Sequence, residues 1–329
     1  MDVTETHELA TPDLAQQLLG APAAIARVDD RGWLRITGPD ATRWLNGMVT
    51  NSIQALEPGQ GCYNFLLNAQ GRIQGDCTIY REPGAGDAAY LLVTDASQLE
   101  TIRTTLDRFI IMDDVTLEPV FADRATWLLV AQGEAANAAA LSALSLPAVA
   151  PLHLAQASVP QGEVLLAALA NTSLQHTLLV AAEAALAGSL ASAALPTLAA
   201  ETLEQLRIVE GTPRYGIDIR DKELPQETSQ TQALHFNKGC YLGQEIVERI
   251  RSRGQVHRLL LQFRLTGELP ATLPAPLQVE GKVVGELTSA TSIGNTLLAL
   301  GYLRREHLIQ TSAILYEGGM AHPIEPRNA

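Results

Sequence analysis

The sequence predicts an α+β chain that ends in a small, closed, mostly antiparallel β-domain. Three observations carry this reading. Apolar residues switch between strand-like and helix-like periods as far as residue 210. A long polar stretch over 211–240, punctuated by Pro213, Gly216 and Pro225, then interrupts the pattern. From His257 onward only strand patterns recur.

Taken in order, residues 13–19 read as a short helix and 33–37 as a strand. Gly38-Pro39-Asp40 turns the chain into a helix over ATRWLNGMV. Pro39 suits a first helical turn and Asp40 suits the positive end of the helix. Strands follow at 61–67 and 72–80, joined by the hairpin-length loop Asn68-Ala69-Gln70-Gly71, and another lies at 89–94. Leu99, Ile102, Leu106 and Phe109 repeat with a helical period over 96–109, and strands come next at 115–121 and 127–131. Residues 134–200 are rich in Ala, Leu and Ser and read as scaffold. Strands near 163–168 and 176–180 precede helices near 182–191 and 199–210, with Pro196 separating the two helices. Leu242, Ile246, Val247 and Ile250 mark a helix within LGQEIVERIRSR. The final strands include a hairpin turn at Glu280-Gly281, and the β-domain begins near residue 255.

The 329 residues suffice for two or three domains, and 47% hydrophobic against 18% charged residues fits a globular chain with a sizeable core. A formal net charge of −13 argues against direct nucleic-acid binding. Cys62, Cys77 and Cys240 are odd in number and form no CxxC pair. A disulfide framework is therefore not expected, and a reducing, cytoplasmic home is. The opening MDVTETHELA has neither a basic nor an apolar leader region. No stretch reads as a membrane span.

The most informative segment is Asn237-Lys238-Gly239-Cys240-Tyr241-Leu242-Gly243-Gln244-Glu245. It sets a lone thiol between a long loop and a helix start, with an ammonium two residues before it. Gly239 and Gly243 permit close approach or positive φ. Helix N–H groups and a lysine both favour thiolate. Cys240 thus reads either as a reactive or ligating cysteine or as a small buried hydrophobe. Cys62 and Cys77 lie in apolar strands and read as core. His235 and His257 stand near the motif without metal-ligand spacing, so no metal site is expected.

KGCYLGQE closely resembles the K-G-C-Y-x-G-Q-E signature of the YgfZ family. LRIVEGTPRYGIDI is similar to that family's R-x-E-x-G-x-P segment, and RSRGQVHR to its R-G-x-x-x-R element. WLNGMVTNSI resembles the F-L-x-G-x-x-T-x-D segment, with Asn51-Ser52 where Asp is usual. GRIQGDCTIY resembles the G-R-x-x-x-D strand shared with the glycine-cleavage T-protein superfamily. The resemblance runs from about residue 30 to 320.

The resemblance implies a GcvT-like fold: a ring of two interleaved α+β subdomains closed by the C-terminal antiparallel β-barrel. On it, residues 1–55 with 150–254 form a discontinuous folate-binding subdomain, 56–149 an inserted one, and 255–329 the barrel. It implies tetrahydrofolate, or a one-carbon derivative, as ligand. Glu210 matches a pterin-gripping carboxylate or is an ordinary helix carboxylate, with Arg214 within reach of the ligand. Asp76 matches the acidic T-protein position beside the reactive folate nitrogens. Arg72 pairs with the glutamate tail or with Asp76, or is solvated. Tyr241 and Gln244 shape the pocket of Cys240, which with Lys238 and Asp76 forms the chemical set. Arg249, Arg251, Arg253 and Arg258 form a basic cluster that meets a polyglutamate tail or an acidic partner, or is a solvated face. The implied function is a monomeric accessory factor in iron–sulfur cluster assembly or repair. Its partners would be client enzymes, including radical-SAM enzymes that modify tRNA, or assembly proteins. The alternative is a folate-dependent aminomethyltransferase or demethylase.

Overall fold

The structure, a computed structural model, describes residues 11–84, 88–170, 172–308 and 313–324. In chain order it contains α1 (Thr11–Leu19), β1 (Ala23–Arg27), β2 (Arg31–Thr37), α2 (Ala41–Met48), β3 (Gly61–Leu67), β4 (Ile73–Arg81), β5 (Tyr90–Asp95), α3 (Ala96–Asp107), β6 (Thr116–Val120) and β7 (Ala125–Ala131). Then follow α4 (Glu134–Ala143), β8 (Leu154–Val159), β9 (Gly162–Ala168), β10 (Gln175–Ala181), α5 (Glu183–Ala193), α6 (Ala200–Val209) and α7 (Gln244–Arg253). The C-terminal strands are β11 (Arg258–Gly267), β12 (Ala275–Val279), β13 (Lys282–Ile293), β14 (Thr296–Arg304), β15 (Ile314–Tyr316) and β16 (Gly319–Ile324).

One five-stranded sheet runs β3-β4-β5-β2-β6 and a second runs β1-β7-β10-β9-β8. The last six strands close a barrel in the order β11-β14-β13-β12-β15-β16. Among the described residues, the strand pairings within these sheets are antiparallel. The α+β class with a terminal barrel is therefore what the chain adopts. Glu280 and Gly281 both take positive φ and turn β12 into β13, the geometry a two-residue hairpin needs.

Subdomain boundaries at 55/56 and 149/150 do not coincide with these sheets. β2 precedes residue 56, yet it lies between β5 and β6; β7 precedes residue 150, yet it lies between β1 and β10. Local periodicity marks a strand but not its hydrogen-bonding neighbours, which are distant in sequence. The chain divides instead into two compact units. One holds Pro22–Leu198 with Ile219–Gln255; the other holds α1, Ala199–Asp218 and the barrel.

Each layer has its own apolar core. Leu34, Ile36, Leu45, Ile79, Leu92 and Leu106 pack α2 and α3 on the first sheet. Leu129, Leu141, Leu166, Leu179 and Leu186 join α4 and α5 to the second. Phe263, Leu277, Leu287, Leu303 and Tyr316 fill the barrel. Burying one such side chain is worth about 1.5–3 kcal/mol, so these clusters dominate the stability of each layer.

Candidate functional site

The 219–243 segment is irregular but not loose. The Lys238 Nζ donates to three backbone carbonyls, those of Asn46 at 2.6 Å, Val49 at 2.7 Å and Asn51 at 2.6 Å. These lie at and just beyond the end of α2, where carbonyls lack helical partners and a cation is favoured. Burial pushes the lysine pKa down to about 8. The three carbonyls act the other way, and the ammonium stays charged at neutral pH. An ammonium has three donors, and all three are used here. Lys238 therefore anchors the segment and has no N–H left for a hydrogen bond to the Cys240 sulfur. The Lys238 charge pulls the Cys62 thiol slightly down, against the larger rise that burial causes. No feature of the KGCYLGQE segment alone names the end of α2 as the acceptor.

Gly243 and Gly71 explain a second part of the motif. Gly243 has φ +83° and Gly71 φ +70°. A Cβ on Gly243 would lie 2.5 Å from the Asn68 carbonyl oxygen and 3.2 Å from the Gly71 Cα. The β3–β4 hairpin loop and the start of α7 thus meet backbone to backbone. Gly239 has open space around it and no positive φ, so the steric role belongs to Gly243 alone. The helix starts at Gln244, whose Oε1 accepts from the Tyr241 N–H at 3.1 Å. Tyr241 is buried with the Lys238 ammonium 5.0 Å from its ring centroid, and burial pushes its hydroxyl up to about 12. Tyr241 and Gln244 are thus engaged in holding the segment.

Cys240 is exposed, whereas Cys62 and Cys77 are buried. Burial raises the Cys62 thiol to about 11, although Asn64 Nδ2 lies 3.2 Å from its sulfur, and burial also raises Cys77. Both inner thiols are neutral packing groups.

Asp76 sits on β4, diagonal to Tyr63 on β3. Its carboxylate accepts from the Tyr63 hydroxyl at 2.6 Å and from Gln98 Nε2 at 2.9 Å. Burial raises its pKa; the Tyr63 and Gln98 bonds and the more distant Arg31 pull it down, while Asp95 adds a small rise. Tyr63 and Gln98 are not legible in the sequence as partners of Asp76, because strand register and the packing of α3 bring them there. Arg72 does not pair with Asp76: its Nη1 donates to the Lys222 carbonyl at 2.5 Å and ties the hairpin loop to the long segment.

Because the folded carboxyl ionises above its unfolded counterpart, the folded state binds more protons between the two values. Stability therefore falls as pH rises from the ordinary carboxylate range, about 4, through the raised value. Asn at this position keeps an acceptor for Gln98 and offers a donor to Tyr63. Asp76→Asn is expected to stabilise the chain by about 0.5–2 kcal/mol at neutral pH. The gain should vanish below about pH 4. Thermal melts of both forms across pH check it, and an unchanged difference at all pH values would refute the burial argument.

Glu210 caps the C-terminal end of α6, its N–H bonded to the Leu206 carbonyl at 2.9 Å. Counted from Arg207, the R-x-E-x-G-x-P spacing puts its acidic position on Val209, which is buried, and Glu210 falls one residue later. The same segment supplies a buried ion pair that the motif reading missed. Arg207 Nη1 donates to Asp218 Oδ2 at 2.6 Å, and Arg207 also pairs with Glu204. Asp218 further accepts from the Arg214 N–H, Thr288 and Ser289. The basic cluster is divided among different tasks. Arg249 is exposed on α7, Arg251 stacks on Phe236 with 4.5 Å to the ring centroid, and Arg258 on β11 lies over Tyr302 and pairs with Glu286 at 3.8 Å. Arg253 ends α7.

Aminomethyltransferase T of the glycine cleavage system from Bartonella henselae superposes with a TM-score of 0.80 over 96% of this chain and 88% of that one, at 19% identity. The chain has the aminomethyltransferase fold. Residues 21–169 match the GCVT N-terminal domain. Among curated proteins, the mitochondrial iron-sulfur cluster assembly factor IBA57 homolog of Pyricularia oryzae is 26% identical over 83% of this chain. Human mitochondrial IBA57 is 27% identical over 85% of this chain and 78% of its own length. An aminomethyltransferase of Rippkaea orientalis is 26% identical over 84% of this chain and 77% of its own length. The chain spans 65% of the length of the Pyricularia relative and 59% of a Neurospora crassa one. The iron–sulfur relatives carry the IBA57 name, not the YgfZ name that the motif suggests. Among the described residues no helix of this aminomethyltransferase fold is long and apolar enough to cross a membrane.

Proposed function

We propose that this chain is an accessory factor in the assembly or repair of iron–sulfur clusters, with Cys240 as the thiol that meets the cluster or the client protein. One observation carries the reading. Cys240 is exposed next to a segment fixed by Lys238 and Gly243, while the other two cysteines are buried. A fixed backbone with an accessible thiol is the arrangement that ligand exchange at sulfur needs. The names of the curated relatives support the same reading.

Tetrahydrofolate is the proposed ligand of the Asp76 face. The donor set fits: a partly buried carboxylate, already oriented by Tyr63 and Gln98, can accept from pterin N–H groups. Arg72 and Arg249 are proposed as cations for the glutamate tail. Tyr241 and Gln244 would act by holding the thiol segment. When bound, tetrahydrofolate supplies a carrier for a one-carbon unit. Radical-SAM enzymes that modify tRNA are the proposed clients, the cytoplasm the proposed site of action, and a monomer the proposed state.

The test is deletion of the gene followed by rescue with the wild-type or the Cys240→Ser chain, reading the activities of several iron–sulfur enzymes. Lower activities on deletion and poor rescue by the serine form are expected. Normal activities after deletion would sink the reading. A second reading, aminomethyl transfer, is kept by Asp76, whose raised pKa suits proton handling near the reactive centre. Robust tetrahydrofolate-dependent release of ammonia from an aminomethyl-lipoyl carrier would favour it.

A further inference from the structure

Ile111 and Met112 form the most exposed apolar pair described in the chain, at 84% and 94% exposure, with Phe109 beside them at 38%. An exposed apolar tip that is already held rigidly anchors a partner at little ordering cost. This one is held by α2 from both sides. The Trp44 indole N–H donates to the Phe109 carbonyl at 3.1 Å. Arg43 Nη2 lies 2.6 Å from Asp113 Oδ1 and 3.1 Å from Asp40 Oδ1. The Asp114 N–H donates to Asp40 Oδ2 at 2.9 Å. Asp40 thus stands at the N-terminal end of α2, as the sequence suggests, and its side chain ties down the tip and makes no capping hydrogen bond to the helix.

The other end of α2 holds the thiol segment, through Lys238 and through the Leu242 N–H bonded to the Gly47 carbonyl at 3.0 Å. The helix has eight residues. It is therefore only about 12 Å long. The tip and the Cys240 segment are fastened to opposite ends of one short rigid element, within one compact unit.

We infer that the Ile111–Met112 tip is the docking knob for the protein that meets Cys240, an iron–sulfur protein with an apolar pocket and a basic rim. The inference rests on the cluster-assembly reading above. The rim chemistry follows from charge. Asp40, Asp107, Asp113 and Asp114 surround the tip, against Arg43 and Arg108, and Arg43 is already paired with two of the carboxylates. An anionic lipid surface would be repelled by this rim. Strand addition is disfavoured as well, because the neighbouring edge strand β6 exposes Glu118 and Pro119. Recognition therefore falls to the two side chains.

The experiment replaces Met112 with the photo-crosslinking residue p-benzoylphenylalanine in cells lacking the native copy and identifies the captured species by mass spectrometry. The expected result is a protein with cluster-ligating cysteines that diamide also links to Cys240 as a mixed disulfide. Adding Ile111→Asp should cut the yield about tenfold or more, as for an interface anchor. Capture of lipid, of a second copy of this chain, of a protein that never meets Cys240, or of nothing would overturn the inference, as would an unchanged yield. A second variant, Ile111→Asp with Met112→Asp, should melt like the wild type because both side chains are solvated, yet rescue iron–sulfur enzymes poorly. Full rescue by it alongside failure of Cys240→Ser would overturn the knob and leave the cluster reading standing. Full rescue by both would remove the cluster reading itself.

Discussion

Asp218→Ala is expected to destabilise the barrel-bearing unit by about 3–5 kcal/mol, the range for breaking a buried ion pair from one side. Asp218 is fully buried. Its two oxygens collect Arg207 at 2.6 Å, the Arg214 N–H at 2.9 Å, Thr288 at 2.5 Å and Ser289 at 2.7 Å. Both hydroxyls come from the irregularity of β13, where the register with β14 shifts between Leu287 and Ser289. Arg207 also donates to the Thr212 carbonyl at 2.9 Å, so one guanidinium joins α6, the loop after it and β13. Alanine leaves a nearly buried cation and several donors without their acceptor, and little water reaches the gap. The expected readout is a denaturation midpoint well below wild type, with part of the loss recovered in Arg207→Met with Asp218→Leu. A loss under about 1 kcal/mol would place the pair among those that contribute almost nothing.

Lys238→Met is the second large effect, expected at about 3 kcal/mol, since methionine keeps the aliphatic stem and leaves three carbonyls without a donor. Arginine should not restore it, because a planar fork cannot serve three carbonyls that converge on a point. Chemical denaturation measures the loss. Rescue of iron–sulfur enzymes by Lys238→Met should fall together with stability, and wild-type stability in Lys238→Met would refute the anchor.

Much of the local structure is legible in the residues. The alternation in IQGDCTIYR, the helical spacing of Leu99, Ile102 and Leu106, and the Glu280-Gly281 turn each specify their element by side-chain periodicity or backbone sterics. The thiol motif is legible as a motif, and its exposure distinguishes Cys240 from Cys62 and Cys77. The roles of its neighbours are not. Lys238 reads as a thiolate neighbour when only two residues of spacing are considered. Its true acceptors lie about 190 residues earlier in the chain. Arg72 reads as a partner for a carboxylate four residues on, yet it reaches the Lys222 carbonyl instead.

By itself the sequence determined the α+β class, the terminal barrel, most strand and helix segments though not β1, α4 or β8, and which cysteine belongs to a special loop. These depend on interactions within a few residues. Only the tertiary structure decided that β2 and β7 join distant strands, that Gly243 closes on Gly71, that Asp76 is oriented by Tyr63 and Gln98, and that α2 carries a thiol segment at one end and an apolar tip at the other. The reason is physical: hydrogen bonds and ion pairs choose partners by position in space, and periodicity along the chain records burial without recording the partner.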